Sequence, residues 1–150
     1  MGTRRVVVTG IGAVVPTGNT AEEAWKNIAA GKSGIDFITL FDRSTVENQI
    51  AGEVKNFDAD ALLGRKEARR TDRSTQMAVV ASRQALEDSG LEITPDNMHD
   101  VGCIIGSGVG GIGSLIESVQ IFFEKGHRSI SPLAIPRILI DSSSGKVSMD

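Results

Sequence analysis

Short apolar runs that end in glycine alternate along this chain with longer segments of helical periodicity. The segments "RRVVVTGIG" at 4–12 and "VGCIIGSG" at 101–108 predict buried strands, because β-branched residues favour strands and glycines end them. The segment "NQIAGEVKNF" at 48–57 predicts a weaker strand, with a bulge at Gly52. Alternating strands and helices indicate the α/β fold class.

The helical segments carry recognisable ends. Thr20 and Glu23 have the spacing of a capping box, and Gly31 is placed to end that helix. Further helices are predicted within 71–90, ending at Gly90, and within 111–126, ending at Gly126. The remaining predictions are a short helix with a loop over 58–73, an extended segment over 127–136, and a helical start to 137–150.

Length and composition indicate one globular unit. The 150 residues are 40% hydrophobic and 23% charged, with a net charge of −3, so neither nucleic acid nor a membrane surface is an expected partner. A single cysteine and no apolar run of about 18 residues favour a cytoplasmic protein. Three strands are fewer than the about five or six of an average sheet, so we expect the front part of a larger fold.

The pattern Gly106-x-Gly108-x-x-Gly111 follows a predicted strand and precedes a predicted helix, as in dinucleotide-binding loops. Such a site also needs an acidic residue on a second strand about 20 positions on, and Glu124 lies in a predicted helix instead. The favoured interpretation is a tight turn in which the backbone approaches another segment closely. A loop that shapes a non-nucleotide ligand site, and a nucleotide site, remain alternatives.

The chain offers little nucleophile or metal chemistry of its own. Cys103 lies in the middle of a predicted strand, and His99 falls in the preceding loop, so we expect a buried core cysteine. The two histidines and one cysteine are widely spaced, so no metal site is predicted.

Two further segments each leave alternatives open. Lys66, Arg69, Arg70 and Arg73 have helical spacing and predict one basic stripe, which suits an acidic partner, a phosphate-bearing ligand or plain solvation. The apolar residues within "HRSISPLAIPR" at 127–137 predict burial against a partner subunit or a ligand channel, or equally against this chain's own core.

Several motifs together resemble one family. They are "RRVVVTGIGAVVPTGNT", "RKEARRTDRSTQMAVVASRQALEDSGLEI", "GSGVGGIGS" and "ISPLAIP", in the family's order and spacing. The chain resembles the N-terminal portion of the elongating β-ketoacyl-acyl-carrier-protein synthases of fatty acid synthesis. The resemblance implies a thiolase-like fold, in which two βαβαβαββ halves form a five-layer α-β-α-β-α core, and a homodimer. It also implies decarboxylative Claisen condensation, with acyl groups delivered on the phosphopantetheine of an acyl carrier protein and no other cofactor.

The resemblance assigns binding residues but no catalytic residue to these 150 positions. The family's nucleophilic cysteine lies shortly after the segment, so the chain alone is expected to be inactive; Cys103, His99 and His127 are not at catalytic positions. The family's "N-M-x-A-G" is replaced here by "DSSSG" at 141–145. The implied carrier-binding residues are Lys66, Arg69, Arg70 and Arg128, and the implied acyl-pocket residues are Val109, Leu133 and Ala134.

Leu133 and Ala134 are smaller than the aromatic residues that the family often has at these positions, so we expect tolerance of long or branched acyl chains. Two other functions remain as alternatives. One is a non-catalytic partner of the chain-length-factor type, which keeps the fold and lacks the nucleophile. The other is a small nucleotide-binding module built on the glycine pattern.

Overall fold

A computed structural model describes residues 3–150, and the chain divides into two compact units. The first comprises residues 3–57 and 83–92, and the second comprises residues 58–82 and 93–150. The helix α4 (Arg73–Ser89) contributes residues to both units and ends, as predicted, at Gly90, whose φ is +64°.

In the first unit, α1 (Ala21–Ala29) confirms the predicted capping signals. The Oγ1 atom of Thr20 accepts a hydrogen bond from the backbone N–H of Glu23 at 3.1 Å, and the Glu23 carboxylate accepts one from the backbone N–H of Asn19 at 2.8 Å. The first bond satisfies an amide that the first turn of a helix leaves free. The second holds the residue before the N-cap, whereas a capping box binds the amide of the N-cap itself, so the box is formed only in part. Gly31 ends the helix with a φ of +68°, a backbone conformation that glycine adopts without steric cost.

The first unit also contains a small antiparallel sheet. The strand β1 (Ile35–Phe37) pairs with β2 (Ile50–Gly52) in an unbroken register that sets Ile35 opposite Gly52. The bulge predicted at Gly52 is therefore wrong. A Cβ atom at Gly52 would lie 3.0 Å from Cγ of Pro16, so this glycine permits a close approach rather than an extra residue.

A buried carboxylate follows β2. The Glu53 carboxylate accepts two hydrogen bonds from Thr39, one from the backbone N–H at 2.9 Å and one from the Oγ1 hydroxyl at 2.6 Å. It also accepts one from the backbone N–H of Leu40 at 3.1 Å. The hydrogen bonds from Thr39 hold the pKa of Glu53 below its usual value. The carboxylate thus fixes the chain that leaves β1.

The strand predicted at 4–12 is wrong, because this segment forms no ladder with the rest of the described chain. The valine side chains at 6–8 are each at least 65% exposed. The amide of Ile11 donates to Oδ2 of Asp88 at 2.8 Å, so a side chain takes the place of a neighbouring strand. A β-branched run favours strand geometry, but a strand exists only where a second strand pairs with it.

The second unit is helical throughout its described elements, and its segment 101–108 is likewise not the strand predicted. The side chain of Ile104 is 99% exposed, and Cys103 is half-buried rather than fully buried. The helices wholly within this unit are α2 (Ala59–Leu63), α3 (Arg65–Arg70), α5 (Ile112–Lys125), α6 (Ala134–Ile138) and α7 (Ser142–Met149).

The predictions for the last 24 residues are largely wrong. The segment expected to be extended forms a 3₁₀ turn at His127–Ser129 and then begins α6. Pro136 is the third residue of α6, where its missing N–H costs nothing because the first-turn amides have no partner within the helix. The helix expected to start near Arg137 instead ends at Ile138.

Candidate functional site

The basic stripe lies mainly on α3. Lys66, Arg69 and Arg70 are all exposed there. The helix ends at Arg70, and Arg73 is already the first residue of α4. The four-residue stripe predicted on a single helix is therefore wrong at Arg73, and the basic face consists of Lys66, Arg69 and Arg70.

One acidic residue, Glu67, interrupts this basic sequence. Its Oε2 atom forms an ion pair with Nζ of Lys146 on α7, and its Oε1 lies 3.9 Å from Nη1 of Arg70. The hydrogen bond from Lys146 lowers the pKa of the Glu67 carboxyl, with smaller contributions from the charges of Arg70 and Lys66. Glu67 is therefore ionised at neutral pH, and the ammonium group of Lys146 on α7 balances its charge.

Arg128, the fourth residue that the resemblance assigns to carrier binding, is exposed but does not lie on α3 with the other three. It lies in the 3₁₀ turn that follows α5, where Gly126 has a φ of +79°. Its assignment stays a prediction.

Close backbone packing explains the glycines at positions 110 and 111. Gly110 has a φ of +73°, and a Cβ atom there would lie 2.4 Å from the carbonyl oxygen of Ile138. A Cβ atom at Gly111 would lie 2.0 Å from the carbonyl oxygen of Arg137. The Gly111 amide donates to the Ile138 carbonyl at 3.1 Å. The predicted tight turn with close backbone approach is confirmed at these two residues.

The N-terminus of α5 is occupied by a carboxylate of the chain itself. Oδ2 of the buried Asp72 accepts hydrogen bonds from Oγ of Ser114 at 2.7 Å and from its amide at 3.3 Å. Oδ1 of Asp72 accepts from the amide of Ser74 at 2.9 Å and so caps the start of α4. Burial raises the pKa of Asp72, but the bonds from Ser114 and Ser74 outweigh it and leave the pKa lowered.

This arrangement argues against a nucleotide site. A phosphate in a dinucleotide loop binds to the free amides at a helix N-terminus, and here Asp72 already satisfies the third helical amide of α5. Gly106 and Gly108 have open space where a side chain would be, so neither is required by packing against the rest of the described chain. Of these glycines, Gly110 and Gly111 serve the contact with α6.

The residues assigned to an acyl pocket lie on the two segments that meet where the Gly110–Gly111 turn contacts α6. Val109 is 56% exposed in the turn before Gly110, whereas Leu133 is half-buried beside α6 and Ala134 is 6% exposed. The turn meets α6 near Ile138, at the opposite end from Ala134. The burial of Ala134 fits the alternative in which its segment packs on its own chain, and the pocket assignment stays a prediction.

Neither a metal site nor a membrane span is found in the described chain. Within residues 3–150, no three His, Cys, Asp or Glu side chains are grouped so that they could hold a metal ion. Over the same residues, no helix has both the length and the apolar character needed to cross a bilayer.

Sequence reasoning missed Asp72 and Lys146. The spacing Asp72-x-Ser74 before a helix is an N-cap signal and could have identified the first half of the Asp72 network. Its bond to Ser114, 42 positions away, has no local signal. Lys146 is 79 positions from Glu67, and its role is equally invisible without the fold.

Comparison with known proteins identifies the family. The model of the β-ketoacyl synthase N-terminal domain matches residues 3–150. The "3-oxoacyl-[acyl-carrier-protein] synthase 2" of Vibrio cholerae is 42% identical over 149 residues, which cover 99% of this chain and 36% of the relative. The protein of the same name from Coxiella burnetii is 46% identical over 146 residues, covering 97% and 35%. The chain thus spans about a third of the length of these relatives.

Solved structures share the fold. The ishigamide ketosynthase/chain length factor superposes with a TM-score of 0.81 at 27% identity, over 99% of this chain and 37% of that one. A β-ketoacyl synthase from Burkholderia phymatum superposes with a TM-score of 0.76 at 25% identity, over 98% and 36%. These matches confirm the predicted α/β, thiolase-like class, although two of its predicted strands are unpaired here. The chain belongs to the β-ketoacyl synthase N-terminal domain family.

Proposed function

We propose that this chain forms the N-terminal part of a 3-oxoacyl-[acyl-carrier-protein] synthase that elongates fatty acyl chains. The observation that carries the proposal is the family match across residues 3–150, together with 42% and 46% identity to two synthases of that name. The enzyme class is an acyltransferase.

The proposed reaction joins two thioesters. A cysteine thiolate of the complete enzyme first takes the acyl group from one carrier. Malonyl-carrier then loses CO₂, and the resulting carbanion attacks the acyl carbonyl, which forms a carbon–carbon bond and releases the cysteine thiolate. Because no residue of these 150 is assigned to those steps, we expect the chain alone to form no ketoacyl product.

The contribution proposed for this chain is docking of the acyl carrier protein. Lys66, Arg69 and Arg70 present three exposed cations on α3, and Arg128 adds a fourth at a separate turn. Basic residues on an exposed face favour encounter with an acidic partner and raise its association rate. The carrier brings its own phosphopantetheine, so no further cofactor is proposed.

The remaining site residues are proposed to act on the acyl chain. Val109 is exposed beside the rigid Gly110–Gly111 turn, which supports a place at the mouth of the pocket. Leu133 and Ala134 would line the pocket near a homodimer interface, and their modest size leaves room for long or branched chains. A condensation assay with acyl groups of increasing length tests this, and a cutoff at short chains would contradict it.

Charge reversal tests the docking proposal in the complete enzyme. Lys66→Glu combined with Arg69→Glu should raise the KM for carrier-bound substrate by about tenfold or more, because two attractions become repulsions. The kcat at saturating carrier should change little. Lys26→Glu on α1 reverses an exposed charge that is not one of the four proposed docking residues, and it serves as the control. An unchanged KM in the double variant would return the basic face to plain solvation.

The similarity to a ketosynthase/chain length factor supports one other candidate function. A chain-length-factor-type partner would have the same fold and docking face without an acyl-accepting cysteine. Mass spectrometry of the complete protein after incubation with acyl-carrier separates the two: an acyl thioester on the protein indicates the condensing enzyme, and its absence indicates the non-catalytic partner.

A further inference from the structure

The ion pair between Glu67 and Lys146 bears on docking, and the inference drawn from it rests on the proposed carrier interaction. Glu67 is the only carboxylate within α3, whose sequence is "RKEARR". Its side chain is 33% exposed, so its charge is felt at the surface that Lys66 and Arg69 share. An acidic partner approaching this face would be repelled by an unbalanced Glu67, since surface charges interact over about 8–10 Å at physiological salt.

Lys146 is well placed to remove that repulsion. It reaches Glu67 from α7, its side chain is 23% exposed, and it binds Oε2. Nη1 of Arg70 is farther away, at 3.9 Å from the other oxygen, Oε1, and the side chain of Arg70 is 52% exposed. The cation that is more buried therefore balances the carboxylate, and the more exposed cation remains available to solvent.

We propose that Lys146 is a positioning residue of the docking face: by pairing with Glu67 it leaves Lys66, Arg69 and Arg70 to the acidic carrier. Without Lys146, Glu67 gains Arg70 as its strongest nearby cation. Arg70 is then engaged by Glu67, and the net positive charge that the face offers to the carrier falls by one. Lys146 lies just beyond the "DSSSG" segment that departs from the family pattern.

The test is the affinity of the complete protein for a bacterial acyl carrier protein, measured at low and at high salt. Lys146→Met should weaken binding at low salt by about twofold to fivefold, the range of exposed ion pairs, and high salt should reduce the difference. Lys146→Arg should restore binding. Lys26→Met, the same change at an exposed lysine of α1, should have no effect.

Glu67→Gln distinguishes this role from a merely structural contact between α3 and α7. If Lys146 acts by balancing charge, Glu67→Gln binds carrier as well as or better than the unmodified protein, and Glu67→Gln combined with Lys146→Met recovers the affinity lost in Lys146→Met. If the pair acts only as a contact, both single variants weaken binding alike, and the proposal is overturned. An unchanged affinity in Lys146→Met also overturns it.

Failure of the proposed function gives a different result. In that case the double reversal at Lys66 and Arg69 leaves carrier binding unchanged. A loss of binding in that double variant, combined with no effect of Lys146→Met, overturns only the role of Lys146.

Discussion

Asp72 and Glu67 are two carboxylates of the second unit that lie close in the sequence and have opposite roles. Asp72 is buried and accepts hydrogen bonds from Ser74 and from Ser114, so it caps α4 and α5 together. Glu67 is partly exposed and pairs with Lys146. The charge of Asp72 interacts with groups inside the protein, while the charge of Glu67 contributes to the surface that a partner would contact.

The difference teaches how burial decides what a charge does. A hydrogen bond to a buried charged group stabilises a protein by about 1.5–3 kcal/mol, and its loss leaves buried polar atoms unsatisfied. An exposed ion pair contributes only about 0–1 kcal/mol, because water and salt screen it. We therefore expect changes around Asp72 to alter the free energy of unfolding, and changes around Glu67 to alter mainly recognition.

The largest effect is expected at the turn that Asp72 supports. Gly111→Ala would place a Cβ atom 2.0 Å from the backbone carbonyl oxygen of Arg137, which cannot rotate away. The free energy of unfolding should fall by about 3 kcal/mol, the upper range for overpacking, as measured by denaturant titration. Gly113→Ala is the matched control, since its nearest atom, Oδ2 of Asp72, is 3.9 Å away. That change should be neutral or stabilise the helix by about 0.5–1 kcal/mol.

Asp72→Asn should lower the free energy of unfolding by about 2–3 kcal/mol at neutral pH, because an amide cannot accept from both helix ends. The folded-state pKa of Asp72 is lowered, so its contribution is present above the ordinary value of 3.8 and is lost as the pH falls through the lowered value. The difference between Asp72→Asn and the unmodified protein should therefore shrink in acid. Denaturant titrations over a pH series measure this.

The control for Asp72→Asn is Asp100→Asn, at an exposed position in the loop before Val101. It should leave the free energy of unfolding within about 0.5 kcal/mol of the unmodified protein. Equal stability losses at both positions would show that net charge, rather than the two helix caps, accounts for the effect of Asp72.

Lys146→Met should lower the free energy of unfolding by less than about 1 kcal/mol, since the pair with Glu67 is partly exposed. Thermal unfolding at low and high salt provides the measurement, and the small loss should be smaller still at high salt. A loss as large as that of Asp72→Asn would mean that the two carboxylates are both structural, and the contrast between them would disappear.

The smallest effect on stability is expected from Lys66→Glu with Arg69→Glu. Both side chains are exposed, and surface substitutions usually change the free energy of unfolding by no more than about 0.5 kcal/mol. The same variant should show the largest loss of carrier affinity. A stability loss above about 1 kcal/mol would contradict the assignment of this face to recognition.

Three helices, α1, α4 and α5, could be predicted because their signals are local. Thr20 caps the start of α1 and Gly31 ends it, as their positions predict, and the Glu23 carboxylate binds an amide one residue before the predicted one. Gly90 and Gly126 end α4 and α5 for the same reason. Such contacts depend on backbone geometry over one or two turns and need no distant partner.

The strands at 4–12 and 101–108 could not be predicted in the same way. Their composition favours strand geometry, but neither pairs with a strand among the described residues, and the side chains of Val6 and Ile104 are almost fully exposed. The site was foreseen in part. Lys66, Arg69 and Arg70 do share a short helix and are exposed on it, whereas Arg73 lies beyond a break in which Asp72 caps the start of α4.

The sequence by itself determined the family, the glycines that end α1, α4 and α5, and the close approach at Gly111, because motif order and local backbone geometry depend on neighbouring residues. Only the tertiary structure decided that Asp72 serves two helices and that Lys146 balances Glu67. Both contacts join residues more than 40 positions apart. Their existence depends on packing, which brings together groups that share no local pattern.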